Sequence, residues 1–286
     1  MSLIRVVSYN IHKGRSSLGR RESLNDLRLG LYNLRPDLVF LQEVQGRNDQ
    51  LSVLDAQHES LAAALRLDVA YGCNAIRDRS DHGNALLSRY SIMEHENQDI
   101  SDHRLEQRGL LHARIEVDGR NVHCFVVHLG LFAGSRTRQI QALTDRIGRL
   151  VPEGDPILVA GDFNDWGDRL APLFVQQLGL YEVFANAPRS HGGELPRLRD
   201  SVRRLGNVLR GVPNSVAVLE RNNQLGMGGA YCPLPPPRTF PAVFPWFRLD
   251  RIYQRGFAVR SARVLRGREW ARLSDHAPLV AELELP

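Results

Sequence analysis

Short apolar runs recur along nearly the whole chain, and their number limits what it can fold into. RVVSYN, DLVFLQEV, NALLSRY, LLHARIEV, HCFVVHLG, ILVAGDFN, FRLDRIYQ and APLVAELEL all read as strands. Several are almost unbroken apolar stretches, which fits strands covered on both faces better than strands with one wet face. Between them lie segments of helical period. Leu24, Leu27, Leu31 and Leu34 form one stripe, closed by Pro36, and Ile140, Leu143, Ile147 and Leu150 form another. Buried strands interleaved with one-sided helices predict layered sheets with helices packed outside.

At 286 residues the chain is long for one domain, but β-rich proteins of this size are often single. A single domain over 1–286 is expected, with a variable insertion at about 187–237, where the strand rhythm breaks. There Leu198, Val202, Leu205 and Leu209 can make a helix stripe, with Arg197, Arg199, Arg203, Arg204 and Arg210 mostly on other faces. Such a helix is usually a surface helix packed by its apolar edge, and otherwise a binder of nucleic acid or an anionic membrane. The CPLPPPR that follows reads as an extended connector.

Hydrophobic content of 43% and charged content of 24% are those of an ordinary globular protein. No apolar run approaches the ~20 residues needed to span a bilayer. MSLIRVVSYN has no basic stretch followed by a long apolar one, and Cys73, Cys124 and Cys232 make neither a zinc pattern nor a disulfide framework. A cytoplasmic location is therefore expected. The net charge of +5 permits a polyanionic partner, although with Lys13 the only lysine it reflects a bias toward arginine equally well.

The chemistry gathers where the apolar runs stop. VVSY ends in Asn10, LVFLQ in Glu43, CFVV in His128, ILVAG in Asp162 followed by Asn164, and FRL in Asp250. Leu273 and Ser274 lead into Asp275 and His276 just before the last strand. One Asp or Asn at a strand end is commonly a turn residue, but six strand ends drawing on the same small set are not explained that way. Asn10, Glu43 and Asp275 offer oxygen ligands, which suit Mg²⁺ or Mn²⁺ rather than zinc. Asp162, Asn164, His128, Asp250 and His276 can move protons and stabilise negative charge, so the set fits metal-assisted phosphoester hydrolysis. A calcium loop starting at Asp162 is excluded, because Trp166 and Leu173 occupy ligand positions five and twelve.

SYNIH, FLQEV, HGNALLSRY, VVHLG, AGDFN, RLDRIY and LSDHAPL, in this order, resemble the endonuclease/exonuclease/phosphatase superfamily, which includes DNase I, and within it a small bacterial stand-alone branch. The resemblance implies a four-layer αββα sandwich, two mixed sheets face to face with helices outside. It further implies that Asn10 and Glu43 hold the metal and that Asp275 completes its shell. Asp162 would orient or deprotonate the attacking water, and Asn164 would hydrogen-bond the phosphate. His276, kept charged and oriented by Asp250, would contact the scissile phosphate, with His128 as a second imidazole. Arg108 matches a position used for phosphate contact, or is a solvated arginine before a strand. Asn84 faces the cleft or is a turn residue, while Lys13 and Arg15 line the mouth or are loop charges.

Nucleic acid is the favoured substrate, and no obligate protein partner is implied. The alternative is a phospholipid or small phosphoester, with peripheral contact to an anionic membrane. FPAVFPWF, directly before Asp250, is then a substrate wall or a membrane contact, against the alternative of core residues round a proline-rich turn. A catalytically dead binding protein would lack a motif residue, and none is missing.

Overall fold

The computed structural model describes residues 2–103, 106–167, 170–188 and 236–286. The helix stripe from Leu198 to Leu209 with its arginines, Cys232 and most of the proline-rich connector lie outside the described residues. In chain order the elements are β1 (Ser2–Asn10), α1 (Leu24–Leu34), β2 (Leu38–Asn48), α2 (Gln57–Leu65), β3 (Asp68–Arg77), β4 (Ser80–Ser88), β5 (Ile92–Asp99), β6 (Gly109–Val117) and β7 (Arg120–His128). They continue as α3 (Ala133–Leu150), β8 (Ile157–Asp162), α4 (Ala171–Leu178), β9 (Tyr181–Glu182), β10 (Asp250–Arg255), β11 (Ala258–Val264) and β12 (Leu279–Leu285).

Two six-stranded sheets form, ordered β11-β12-β1-β2-β4-β3 and β5-β6-β7-β8-β10-β9. Both are mixed: β1 runs parallel to β2 and antiparallel to β12, and β8 runs parallel to β7 and antiparallel to β10. The unbroken apolar runs have a direct cause in the layering. Successive side chains of a strand point to opposite faces, and here both faces are dry. Val6, Phe40, Val126 and Ala160 join the core between the sheets. Their neighbours Val7 and Val39 pack with Leu27 and Leu31 of α1 and Leu61 of α2. Val127 and Val159 pack with Ile140, Leu143 and Ile147 of α3 and Phe174 of α4. The architecture is thus the expected four layers, helices, sheet, sheet, helices. Among the described residues no helix is long and apolar enough to cross a membrane.

The eight anticipated strands are all present, and the two leucine and isoleucine stripes lie on α1 and α3. The strands not anticipated, β3, β5, β9 and β11, are the four sheet edges. An edge strand keeps contact with water, so it needs no unbroken apolar run, and charges such as those of MEHEN in β5 keep it from pairing with another chain.

Register sets where the site falls. Asn10 lies opposite Gln42, and Asp162 lies opposite both His128 and Asp250. The outgoing ends of β1, β7 and β8, the middle of β2 around Glu43, which runs on to Asn48 rather than stopping there, and the incoming ends of β10 and β12 therefore meet in one region of the sandwich.

Candidate active site

Two devices aim side chains into this end. From Leu41 to Val44, β2 takes three steps while β4 takes two, from Ala85 to Gly83. The extra residue makes a bulge, which re-aims a side chain out of the regular ladder, and Glu43 within it has φ 53°. Asn164, His12 and Lys13 also have positive φ, so among the described residues four of the eight non-glycine residues in that region sit at this one end. Such backbone costs roughly 1–3 kcal/mol per residue and concentrates where geometry is demanded by function. The second device is Gly161, at φ 151°, where a Cβ would lie 1.9 Å from the Val127 carbonyl oxygen. Only glycine lets β8 pass β7 so closely and deliver Asp162 to the cleft.

Asp162 is the point of convergence. Its Oδ2 lies 3.3 Å from Asn10 Nδ2, 3.5 Å from His128 Nε2 and 3.6 Å from His276 Nε2. Its Oδ1 accepts the Asn164 backbone N–H at 2.9 Å. Asn10 also reaches Glu43 Oε1 at 3.3 Å, so one amide spans carboxylates from opposite sheets. His276 Nδ1 meets Asp250 Oδ2 at 2.9 Å, and the Phe240 ring lies 4.9 Å from the His276 ring.

Burial by itself would depress His276, but the charges of Asp250 and Asp162 and the hydrogen bond to Asp250 outweigh it and hold the imidazole well above its usual range. It is an imidazolium at neutral pH. Burial pushes Asp162 upward, helped by the charges of Asp250 and Glu43 and opposed by His276 and the Asn164 N–H. Burial and then Arg108 push His128 well below the usual imidazole range, so it is neutral. Burial opposes ionisation of Glu43, yet the neighbouring His128, Lys13 and His276 and the Asn10 hydrogen bond lower it, with Lys13 Nζ 3.4 Å from Glu43 Oε2.

The remaining anticipated residues lie around this centre. Ser274 Oγ donates to the Asn10 carbonyl at 2.7 Å and lies 3.3 Å from Asp275 Oδ1, which places Asp275 at the edge of the cleft. Asn164 is buried, and its Nδ2 donates to the Leu129 carbonyl. Arg108 is not a solvated arginine: its side chain is 14% exposed and is pinned by Glu106 Oε1 at 3.0 Å and the Leu129 carbonyl at 3.2 Å. Asn84 is not a turn residue either. It lies inside β4, fully buried, with Nδ2 donating across the gap between sheets to the Gly109 and Val126 carbonyls. Arg15 follows the short 3-10 turn His12–Gly14 and donates to the Gly19 carbonyl at 3.4 Å, within its own loop.

Several side chains escaped the sequence reading. His12 Nδ1 lies 3.7 Å from Asp275 Oδ1. His82, two residues before Asn84 on the same face of β4, is pushed down to about 4 by burial and by Lys13, with Glu43 opposing. Glu106 fixes Arg108 and also accepts the Leu131 N–H. His12 and His82 stand inside the quoted motifs SYNIH and HGNALLSRY, but a lone histidine carries no signal of its neighbours. Of the anticipated metal ligands, Asn10 turns Nδ2 toward Glu43 and Asp162 while its Oδ1 accepts the His12 N–H, and Glu43 and Asp275 offer carboxylate oxygens of the kind a hard divalent cation takes. Asp162, Asp250 and His276 also have ligand atoms within 4.8 Å of one another, although the His276–Asp250 hydrogen bond already occupies one nitrogen.

Comparison with known proteins agrees with this fold and gives the family. The model of the Endonuclease/Exonuclease/phosphatase family matches residues 7–276. The uncharacterized protein YbhP of Escherichia coli (strain K12) is 36% identical over 289 residues, covering 98% of this chain and 96% of its own. Among solved structures, an endonuclease/exonuclease/phosphatase from Bacteroides vulgatus superposes with a TM-score of 0.70 at 16% identity, covering all of both chains. D. rerio TDP2 complexed with single strand DNA product superposes with a TM-score of 0.61 at 17% identity, covering 99% of this chain and 100% of that one. A family match that begins within β1 and ends at His276 takes in every strand tip described above, and the chain belongs to the endonuclease/exonuclease/phosphatase family.

Proposed function

We propose that this protein is a Mg²⁺- or Mn²⁺-dependent phosphodiester hydrolase, working as one domain in the cytoplasm. The observation that carries the reading is the approach of Asn10, His128 and His276 to one oxygen of Asp162, from elements of both sheets. Membership of the family supports phosphoester hydrolysis as the class of reaction.

Asp162 takes a proton from water as its oxygen bonds to phosphorus, and the raised affinity of this carboxyl for protons suits a general base. His276, positively charged and held by Asp250, donates to a non-bridging phosphate oxygen through Nε2, and neutral His128 donates beside it. The ester P–O bond breaks as the new one forms, the leaving oxygen takes a proton from solvent, and Asp162 returns to solvent the one it received. Asn164, Arg108 and Lys13 shape the phosphate end, and Asn84 supports the Gly109 carbonyl next to Arg108. Asn10 and Glu43, with Asp275 at the edge, fit a hard cation by their oxygen donors and by the unusually acidic Glu43. When bound, such an ion would polarise the phosphoryl oxygen and favour departure of the leaving group.

The test is hydrolysis of bis(p-nitrophenyl) phosphate, plasmid DNA, RNA and phospholipid vesicles with Mg²⁺ or Mn²⁺, by wild type and Asp162→Ala. Activity on at least one phosphodiester is expected, with loss of about 10³-fold or more in the variant and complete loss in EDTA. Activity indifferent to EDTA or to Asp162→Ala would sink the mechanism. Nucleic acid as substrate is supported by the positive charge balance and by a structural neighbour that carries single-stranded DNA product. A second reading, a lipid phosphodiester, is favoured by the exposed apolar hairpin beside His276.

A further inference from the structure

Phe240 and Phe247 form an isolated antiparallel bridge that closes a hairpin over Pro241–Trp246. The hairpin is not core. Val243 is 69% exposed, Phe244 67% and Trp246 43%, and no charged residue lies between Phe240 and Phe247. Most of its backbone donors are paired, the Val243 N–H at the tip being the exception among the hydrogen bonds described. The N–H groups of Trp246 and Phe247 go to the Phe240 carbonyl, that of Phe240 to Phe247, that of Phe244 to Pro241 and that of Ala242 to Asp275. Pro241 and Pro245 have no N–H to satisfy. Water requires no such internal pairing, whereas a hydrocarbon medium does, because an unpaired backbone group there costs several kcal/mol.

The foot of the hairpin is part of the candidate active site. Phe240 packs on His276, and the Ala242 N–H is bonded to the Asp275 carbonyl. Phe247 in turn contacts Trp166, a half-exposed aromatic four residues beyond Asp162, with ring centroids 4.7 Å apart. Arg238 and Arg248 bracket the foot, and no acidic residue occurs from Arg238 to Leu249. Pro241 to Phe244 form a turn closed by the Phe244 N–H on the Pro241 carbonyl, which leaves Val243 and Phe244 at the exposed tip.

We propose that the Phe240–Phe247 hairpin is a docking wedge for an anionic phospholipid surface, so that the phosphodiester brought to Asp162 and His276 is that of a lipid headgroup. The substrate half of this statement rests on the hydrolase reading above, and the docking half does not. Val243 and Phe244 enter the acyl boundary, Trp246 lies at the interface where amphipathic rings concentrate, and the flanking arginines stand at headgroup level. The hairpin foot then holds the cleft at the depth of the phosphates.

The experiment uses the full chain, wild type and Val243→Ser/Phe244→Ser, with vesicles of phosphatidylcholine alone or mixed with phosphatidylglycerol. Co-sedimentation and tryptophan emission report binding. Bis(p-nitrophenyl) phosphate and vesicle phosphatidylglycerol report hydrolysis, and a fluorescent single-stranded oligonucleotide is the competing ligand. Wild type is expected to partition onto the anionic vesicles with a blue shift in emission, and the double variant to lose at least about tenfold in partition. The variant should keep wild-type activity on the soluble diester while losing turnover of vesicle lipid. Equal partition of wild type and variant, or no partition of either, overturns the proposal. So does an oligonucleotide affinity that falls in the variant without any vesicle binding, which would make the tip a base platform. Vesicle binding by a wild type that hydrolyses neither diester leaves the docking surface standing and removes the hydrolase reading instead.

Discussion

At the scale of single residues, the site depends on pairs held by burial. Asp250 and His276 meet at 2.9 Å, both nearly inaccessible, and Asp250 is a major reason why His276 is charged. Asp250→Asn keeps the shape but removes the charge, so a phosphate oxygen loses its cationic partner. A fall in kcat of about 10²–10⁴-fold is expected. A merely structural role for Asp250 would not move the pH profile. Loss of the carboxylate lowers the proton affinity of His276, so the alkaline limb of the kcat profile should shift to lower pH in the variant. A profile that keeps its alkaline limb with only a scaled rate would count against the charge role. The two imidazoles facing Asp162 illustrate what neighbours decide: near Asp250 the ring is cationic, and near Arg108 it is neutral.

At the scale of elements, a buried polar chain ties α3 to β5, β6 and β7. Arg146 Nε donates to His112 Nδ1 at 3.2 Å, His112 Nε2 lies 3.0 Å from His123 Nδ1, and His123 Nε2 lies 3.3 Å from Asp155 Oδ2. Arg146 also pairs with Glu96 and Gln98 on β5. With Nδ1 of His112 accepting from Arg146, both imidazoles are neutral and each passes one N–H along the chain. Burial, Arg146 and His123 hold His112 down to about 3, and burial lowers His123 against the pull of Asp155. The unfolded chain takes up these protons below about 6.5, whereas the folded chain refuses them until much lower pH. The unfolded state therefore binds more protons between those limits, and stability falls as pH falls from 6.5 toward 3. Urea unfolding of wild type should lose on the order of 1–3 kcal/mol from this network by about pH 4. In His112→Gln that part of the pH slope should shrink, and an unchanged slope would show that other groups carry it.

At the scale of the whole molecule, the site exists only because two sheets are packed face to face. Asn10 and Glu43 come from one sheet and Asp162, His128 and Asp250 from the other, so the proposed ion, if held between them, would brace the interface. A ligand that binds only the folded state raises stability in proportion to the logarithm of its concentration. Mg²⁺ or Mn²⁺ at about 100 times its Kd should add about 3 kcal/mol and raise Tm by several degrees. Glu43→Ala should respond far less to the same titration. Equal upward shifts in both proteins would place the stabilising ion elsewhere.

Much of this was written in local pattern. Strands buried on both faces must be apolar at every position, so β1, β2, β4, β6, β7, β8, β10 and β12 declared themselves, and polar residues read at their ends converge on Asp162. The stripes of α1 and α3 followed from one-sided packing in the same way. What lay beyond the sequence depends on contacts between distant segments. Edge strands lack a partner on one side and so lack an apolar signature, which hid β3, β5, β9 and β11. The places of His12 and His82 beside Asp275 and Lys13, and the pinning of Arg108 by Glu106, arise from loops meeting across the cleft. The exposure of Val243, Phe244 and Trp246 could not be read from composition, because the same letters would serve equally in a core. Residue type is local and declares what a side chain can do. Which face is dry, which charge stands next to which, and which apolar tip is left in water are properties of the packed chain, and those were decided by the tertiary structure.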